Sequence, residues 1–459
     1  FFIFFTINKI KNFKHMKIIV LYFIFINFTV FSQEWIVRTI GTCPKDKAYS
    51  ICVANGRNDG INRVYVSTRG ESTDGSIYEY TYNGQQWVLS STITVSLKNL
   101  VTLAVGKGRN DSINRIYAVE WGGTTSRVFE YSWNGSGWIS SIIETTGKGM
   151  LSCTVADARG DGIKRLYVGG WIIHREYTWN GASWNAVDLS VTHGSEGPIA
   201  IGPGKNDGVL RYYAPGKRVK EFSWNGLSYE ETDSISNASG WPETVVIEQT
   251  RNDGIYRLLT QDNSGIWEYT WDNTVWSGQK IDGRWGRSFL FSGITKSDGK
   301  IYTYSTDIDS VFREFSYDSG VSKYTSQNID AATGATALLD IGVGRNDDTF
   351  RIYTPNYTTG AIYEITNISP YVLNTTNVQK NKNSDFIIKS NNKGQVTISS
   401  EKSEWVEIKI LSLEGKCLFQ KYFFLDKQYT FSPDLKSGVY IINALSKQEQ
   451  TTTKIIVYK

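Results

Sequence analysis

The chain has 459 residues, 14% of them aromatic, and its 49 basic against 45 acidic side chains leave a formal net charge of +4. That length exceeds one ordinary domain, and the balanced charge without a basic run excludes the electrostatic footprint of a nucleic-acid-binding protein. Four cysteines agree with export without demanding a disulfide framework.

Met16 is the first methionine, so residues 1–15 read as upstream translated sequence that does not enter the fold. Met16-Lys17, the apolar run Ile18 to Phe31 and Ser32-Gln33 read as a secretory signal peptide over 16–32, with cleavage after Ser32. A run of fourteen residues is too short to span a bilayer comfortably.

From residue 34 to 369 one unit recurs seven times. An Asp-centred turn (Asp59, Asp111, Asp161, Asp207, Asp253, Asp298, Asp347) returns every 45 to 52 residues. A strand in which a Glu has an aromatic on one or both sides keeps step with it through Glu79, Glu130, Glu176, Glu221, Glu268, Glu314 and Glu364. Each unit reads as four strands: an apolar one before the Asp turn, Arg-Val-Tyr-Val after it, the Glu strand, and one opening on Trp. A period of this length with strand patterning predicts an all-β, seven-bladed propeller. The pairs Asn83-Gly84, Asn134-Gly135, Asn180-Gly181 and Asn225-Gly226 are hairpin signals, because both residues tolerate positive φ. The seventh copy lacks its last strand, and Glu34 to Ile40 reads like the missing piece. That segment is expected to close the ring as the outermost strand of blade seven, sparing the seam two raw sheet edges. Cys43 and Cys52 are close enough to bridge at the entry to blade one, while Cys153 and Cys417 read as free or buried.

The Asp-Gly turns between strands resemble the FG-GAP or VCBS repeats of integrin-α-like propellers, in which Asp-x-Asp-x-Asp-Gly-x-x-Asp binds calcium. Alignment on that pattern puts Asn55, Arg57, Asp59 and Arg63 at the ligand positions, and no guanidinium belongs in a calcium shell. The loops are therefore expected to be metal-free, with no cofactor, although blade three keeps both Asp157 and Asp161. In place of the ion, Arg57 or Arg63 is expected to pair with Asp59, and Glu79 to be the second partner between blades. Arg109, Asp111, Arg115 and Glu130 repeat the set in blade two, and blade six keeps its charges as Lys296, Asp298 and Lys300. One ligand site per blade is the competing reading of these charges.

In a four-stranded blade the Asp-Gly and Asn-Gly turns share one face, and the variable connections gather on the other. Nine tryptophans belong to the repeat, whereas Trp121, Trp171, Trp241 and Trp285 break it and fall in or beside the variable connections. Such indoles suit stacking on sugar rings. For each, the alternative is an indole tucked under its own loop. Chemistry has little support: His174 sits where the template has an aliphatic residue, which leaves His193, with Arg284 or Arg287, as the candidate set for a polysaccharide lyase.

Beyond a polar linker at 370–384, residues 385–459 read as a compact β unit. Leu435-Lys-Ser-Gly-Val-Tyr and the closing Lys454 to Lys459 resemble the C-terminal sorting domain of type IX secretion cargo of Bacteroidetes. Lys389-Ser-Asn-Asn departs from that family's usual Tyr-Pro-Asn-Pro. The resemblance implies a β-sandwich, handling by the type IX machinery, and release or display at the outer cell surface. The sequence thus points to a monomeric binding module for an extracellular glycan or surface protein, non-catalytic, with a polysaccharide lyase or an adhesin scaffold as alternatives.

Overall fold

The computed structural model describes residues 35–368 and 387–457, apart from the short connections 44–46, 70–74, 96–98, 122–124, 172, 190–197, 236–240, 284–288, 297, 307–310, 330–337, 348, 391–394, 401–403, 412–416, 434–437 and 446–449. The signal segment, His193, Arg284, Trp285 and Arg287 lie outside the described residues.

Seven antiparallel four-stranded sheets follow one another, each strand pairing with the next in sequence. Blade one comprises Lys47–Ala54, Arg63–Arg69, Ser76–Tyr82 and Trp87–Thr94. The first strands of blades seven and one are neighbours, so the series closes into a ring. Close approach there requires glycine: a Cβ on Gly342 in blade seven would lie 2.8 Å from the Val53 side chain of blade one.

Blade seven is composite. Trp35–Thr42 pairs antiparallel with Ala361–Asn367, giving an order in which the N-terminal strand is outermost and Asp340–Gly342 innermost. Closure by the first and last strands of the propeller removes a pair of sheet edges and buries Trp35 against Tyr304 of blade six.

The Asn-Gly pairs open the hairpins where expected, without Asn using its tolerance of positive φ. Tyr82 pairs with Trp87, leaving a four-residue loop in which Gly84 takes φ 94° and Asn83 does not enter positive φ. Instead the Asn83 side-chain oxygen accepts the backbone N–H of Gln85 and Gln86. Asp272 plays the same part in blade five, with Asn273 in the glycine's place. A side-chain acceptor two residues back is the reason Asn or Asp opens these turns.

Nor do Cys43 and Cys52 form a disulfide. Cys43 packs in the core cluster with Tyr80 and Tyr353, whereas Cys52 packs against Tyr65 and Leu103 on the side of blade two. The two side chains leave the entry to blade one toward different neighbours.

Residues 387–457 form two further sheets. One orders Ile387–Ser390, Val396–Ser399 and Gln428–Phe431; the other orders Cys417–Leu425, Glu404–Leu411, Gly438–Leu445 and Gln450–Val457. Val396 and Ile398 of the first pack with Val406, Ile408, Ile410 and Ile442 of the second, the period-2 alternation of a small sandwich.

Candidate functional site

The recurring charges occupy one another. Asp59 accepts both forks of Arg63, at 2.8 and 2.6 Å, and the same bidentate pair joins Asp111 to Arg115, Asp161 to Arg165, Asp207 to Arg211, Asp253 to Arg257 and Asp347 to Arg351. Those guanidinium donors hold the carboxyls of Asp59, Asp161 and Asp207 down at about 2. Blade six departs from the expected charge set: Asp298 accepts from the Tyr302 hydroxyl at 2.7 Å, because Tyr302 holds the position four residues on that Arg63 holds in blade one.

Glu79 is fully buried and meets four donors: Arg57 at 2.7 Å, Arg63 at 3.2 Å, the Ser90 hydroxyl at 2.8 Å and the indole N–H of Trp138 at 2.8 Å. Trp138 belongs to blade two, and the Arg57 guanidinium lies 3.9 Å from the Trp133 ring of that same blade. Each blade grips the next in this way. Arg109 stacks on Trp179, Arg159 on Trp224, Lys205 on Trp271, Arg251 on Tyr317, Lys296 on Trp35, and Arg345 on Tyr82 across the seam. Where the next blade opens its fourth strand on Tyr instead of Trp, a hydroxyl replaces the indole N–H: Tyr229 donates to Glu176 at 2.6 Å and Tyr324 to Glu268. Between blades four and five the grip is poorer. There Trp276 Nε1 and one Glu221 oxygen have no hydrogen-bond partner among the described residues.

A second girdle went unread in the sequence. Asn58, at φ 62°, donates to the Asn114 carbonyl of blade two and accepts its N–H at 2.7 Å. Asn206, Asn252 and Asn346 make the same two-way staple to Tyr256, Ile301 and Asn62. Asp157 of blade three spends its carboxylate on the backbone N–H of Asp161 and Gly162, at 3.2 and 2.7 Å. Among the described residues no cluster of three or more His, Cys, Asp or Glu could hold a metal ion. The polar groups of this face bind the ring together.

The opposite face is built differently. Trp121 ends the second strand of blade two, and Trp171 follows that of blade three; their ring centroids are 5.1 Å apart at 76°. Trp171 lies over Gly149, keeps 36% of its surface exposed, and donates its backbone N–H to the Gly149 carbonyl. On the other side of Trp121 stands Arg69, its guanidinium 5.7 Å from that ring and 5.4 Å from the ring of Tyr49. Tyr49 meets Tyr357 edge-on at 5.9 Å, and Lys47 lies 4.9 Å above Tyr357. Beneath this strip Tyr49, Leu151 and Leu338, from the first strands or their approaches in blades one, three and seven, form a buried apolar floor. The strip therefore runs across blades seven, one, two and three.

Of the off-template tryptophans, Trp121 and Trp171 come together. Trp241 is 43% exposed before the first strand of blade five and makes none of the ring contacts recorded among the described residues. His174 is buried, its Nδ1 2.6 Å from the Tyr212 hydroxyl, and burial pushes its pKa down to about 3. That geometry gives it no access to a ligand. Tyr49, Tyr357 and Arg69 were missed because each sits within a repeat strand or loop whose local pattern says nothing about its neighbours from other blades.

Two crystal structures of BBS1N in complex with ARL6DN, soaked with lead and with mercury, are similar to this chain with a TM-score of 0.51 each. They share 15% and 13% identity, over 73% and 74% of this chain and 97% and 98% of theirs. The likeness concerns fold alone. The extracellular domain of a hybrid two component system of B. thetaiotaomicron is similar at 8% identity and a TM-score of 0.48, over 92% of this chain and 57% of that one. No curated protein matches the sequence. Residues 390–458 match the secretion system C-terminal sorting domain. This tail marks a protein sent by the type IX system to the cell surface or the extracellular space, so the propeller is an extracellular scaffold delivered by its own C-terminal address.

Proposed function

We propose that this exported propeller is a non-catalytic binding module whose ligand is a glycan held on the variable face. The observation that carries the reading is the meeting of Trp121 and Trp171. Two indoles that break the repeat, from different blades, form one edge-to-face pair with Trp171 open to solvent. An exposed indole beside a second ring offers an apolar plane for the C–H face of a pyranose and an N–H at its edge. Rigid blades hold that plane in place, and binding on variable connections over a rigid scaffold is the usual arrangement. Trp241, also exposed, lies on the same face and is a candidate for an outlying contact.

The test is calorimetric titration of an oligosaccharide panel into the wild type and Trp121→Ala/Trp171→Ala. We expect at least a tenfold loss of affinity, about 1.4 kcal/mol, with the denaturation midpoint little changed. Unchanged affinity in the double variant overturns the site. Capture of a surface protein that competing sugars do not displace would favour an adhesin instead.

A further inference from the structure

Arg69 of the strip is not spent on a buried carboxylate, unlike the cations of the opposite face. Arg57, Arg109 and Arg159 stack on a ring and spend their N–H donors on a buried Glu. Arg69 stacks between Tyr49 and Trp121, yet no ion pair or side-chain hydrogen bond joins it to any described residue. Contact with the rings leaves its five N–H donors unspent, in a fork that matches a carboxylate or sulfate. The surrounding rings and the floor of Tyr49, Leu151 and Leu338 exclude water on one side, which strengthens any charge pairing made there. Lys47, over Tyr357, adds a second cation at the other end of the Tyr49 ring system.

We infer that the ligand of this face is an acidic glycan, one carrying carboxylate or sulfate groups on its pyranose rings, with Arg69 receiving the anion and Trp121 and Trp171 receiving the ring beside it. This rests on the glycan reading above and adds the charge of the ligand. The alternation of cation and aromatic along the strip matches a chain in which each sugar presents both an apolar face and a negative substituent. Glu71 and Asp74 follow Arg69 in the sequence, outside the described residues; if either carboxylate neutralises Arg69, the preference for an acidic chain disappears, and the experiment reads that directly.

The experiment titrates the full chain with oligogalacturonate, with the same oligomer methyl-esterified, and with a sulfated galactan oligomer, at low and at physiological salt. The expected result is at least tenfold tighter binding of one charged oligomer than of the uncharged ester, with the preference reduced by salt. Which charged oligomer is preferred separates carboxylate from sulfate. Arg69→Gln should abolish the preference while leaving ester binding in place, Arg69→Lys should keep part of it, and Trp171→Ala should weaken charged and uncharged oligomers alike. Denaturation midpoints of both Arg69 variants check that the fold persists, and the salt dependence of the wild type provides a reading that needs no variant. Equal binding of acid and ester by the wild type, or a preference that survives Arg69→Gln, overturns the acidic ligand while the glycan site stands. No binding of any oligomer overturns both.

Discussion

The two faces of the propeller use the same residue types to opposite ends. On the regular face a cation, an aromatic ring and a Glu recur in every blade, and each set reaches from one blade to the next, as where Glu79 meets donors from two blades. On the variable face Arg69, Trp121, Trp171 and Tyr49 meet once, and no described carboxylate closes the set. The contrast teaches how to tell cohesion from recognition in a repeat protein. Cohesion recurs with the period, because every junction faces the same requirement. Recognition departs from it.

The contrast can be broken most severely at the seam. Deleting Trp35–Thr42 leaves blade seven three-stranded, exposes the edge of Ala361–Asn367 and strips Lys296 and Tyr304 of Trp35. The expected outcome is loss of soluble monomer on size-exclusion chromatography; a monomeric deletion variant with wild-type stability would show that the ring does not need its clasp. Next in size is Glu79→Ala, which leaves Arg57 and the Trp138 N–H buried without their acceptor. Removing one member of a buried pair costs about 3 to 5 kcal/mol, to be read as a lower urea midpoint, with binding to the variable face unchanged.

Acid should act through His174. Its pKa is about 3 in the fold against an ordinary value of 6.5, so below pH 6.5 the unfolded chain takes up the proton first and stability falls progressively as the pH drops toward 3. The loss amounts to a few kcal/mol in order of magnitude. Asp340, raised to about 6 by burial, acts in the opposite sense, becoming less costly to the fold as the pH falls through 6. In His174→Gln, denaturation midpoints measured from pH 7 to 4 should fall less steeply than in the wild type; an identical slope would remove His174 from the account. The smallest effect belongs to the staples. Asn58→Ala loses both hydrogen bonds to Asn114 and one to the Gly56 carbonyl, and places a Cβ-bearing residue without a local side-chain partner at φ 62°, expected to cost about 1 to 3 kcal/mol. Asn58→Gly should recover the backbone part of that loss and separate the two contributions.

Much of the cohesive face was legible in the sequence, because its parts repeat. Asp59 and Arg63 lie four residues apart on one turn, so their pairing is local chemistry. Where that local rule was read two residues out of register, at Lys300, the structure put Tyr302 against Asp298 instead. The stack of Arg57 on Trp133 joins residues 76 positions apart in different blades, and no tripeptide pattern announces it. Asn58 drew no reading from the sequence, although its side chain spans to Asn114. The Asn-Gly turns were placed correctly in the chain; that the Asn side chain completes each turn was not legible there. The candidate site was legible only in part: the off-template indoles were visible as exceptions, but Arg69, Tyr49 and Tyr357 lie in repeat segments and gain their meaning from three neighbouring blades.

By itself the sequence determined the number of blades, the missing strand that closes the ring, and the tail that exports the protein, since each is written as a period, a gap in a period, or a contiguous motif. Only the tertiary structure decided which residues share a surface. Blade order brings Lys47, Tyr357, Tyr49, Arg69, Trp121 and Trp171 into one strip although they span 311 positions of sequence. That distance is bridged by ring closure, a long-range event whose geometry follows from packing between sheets and leaves no trace in local composition.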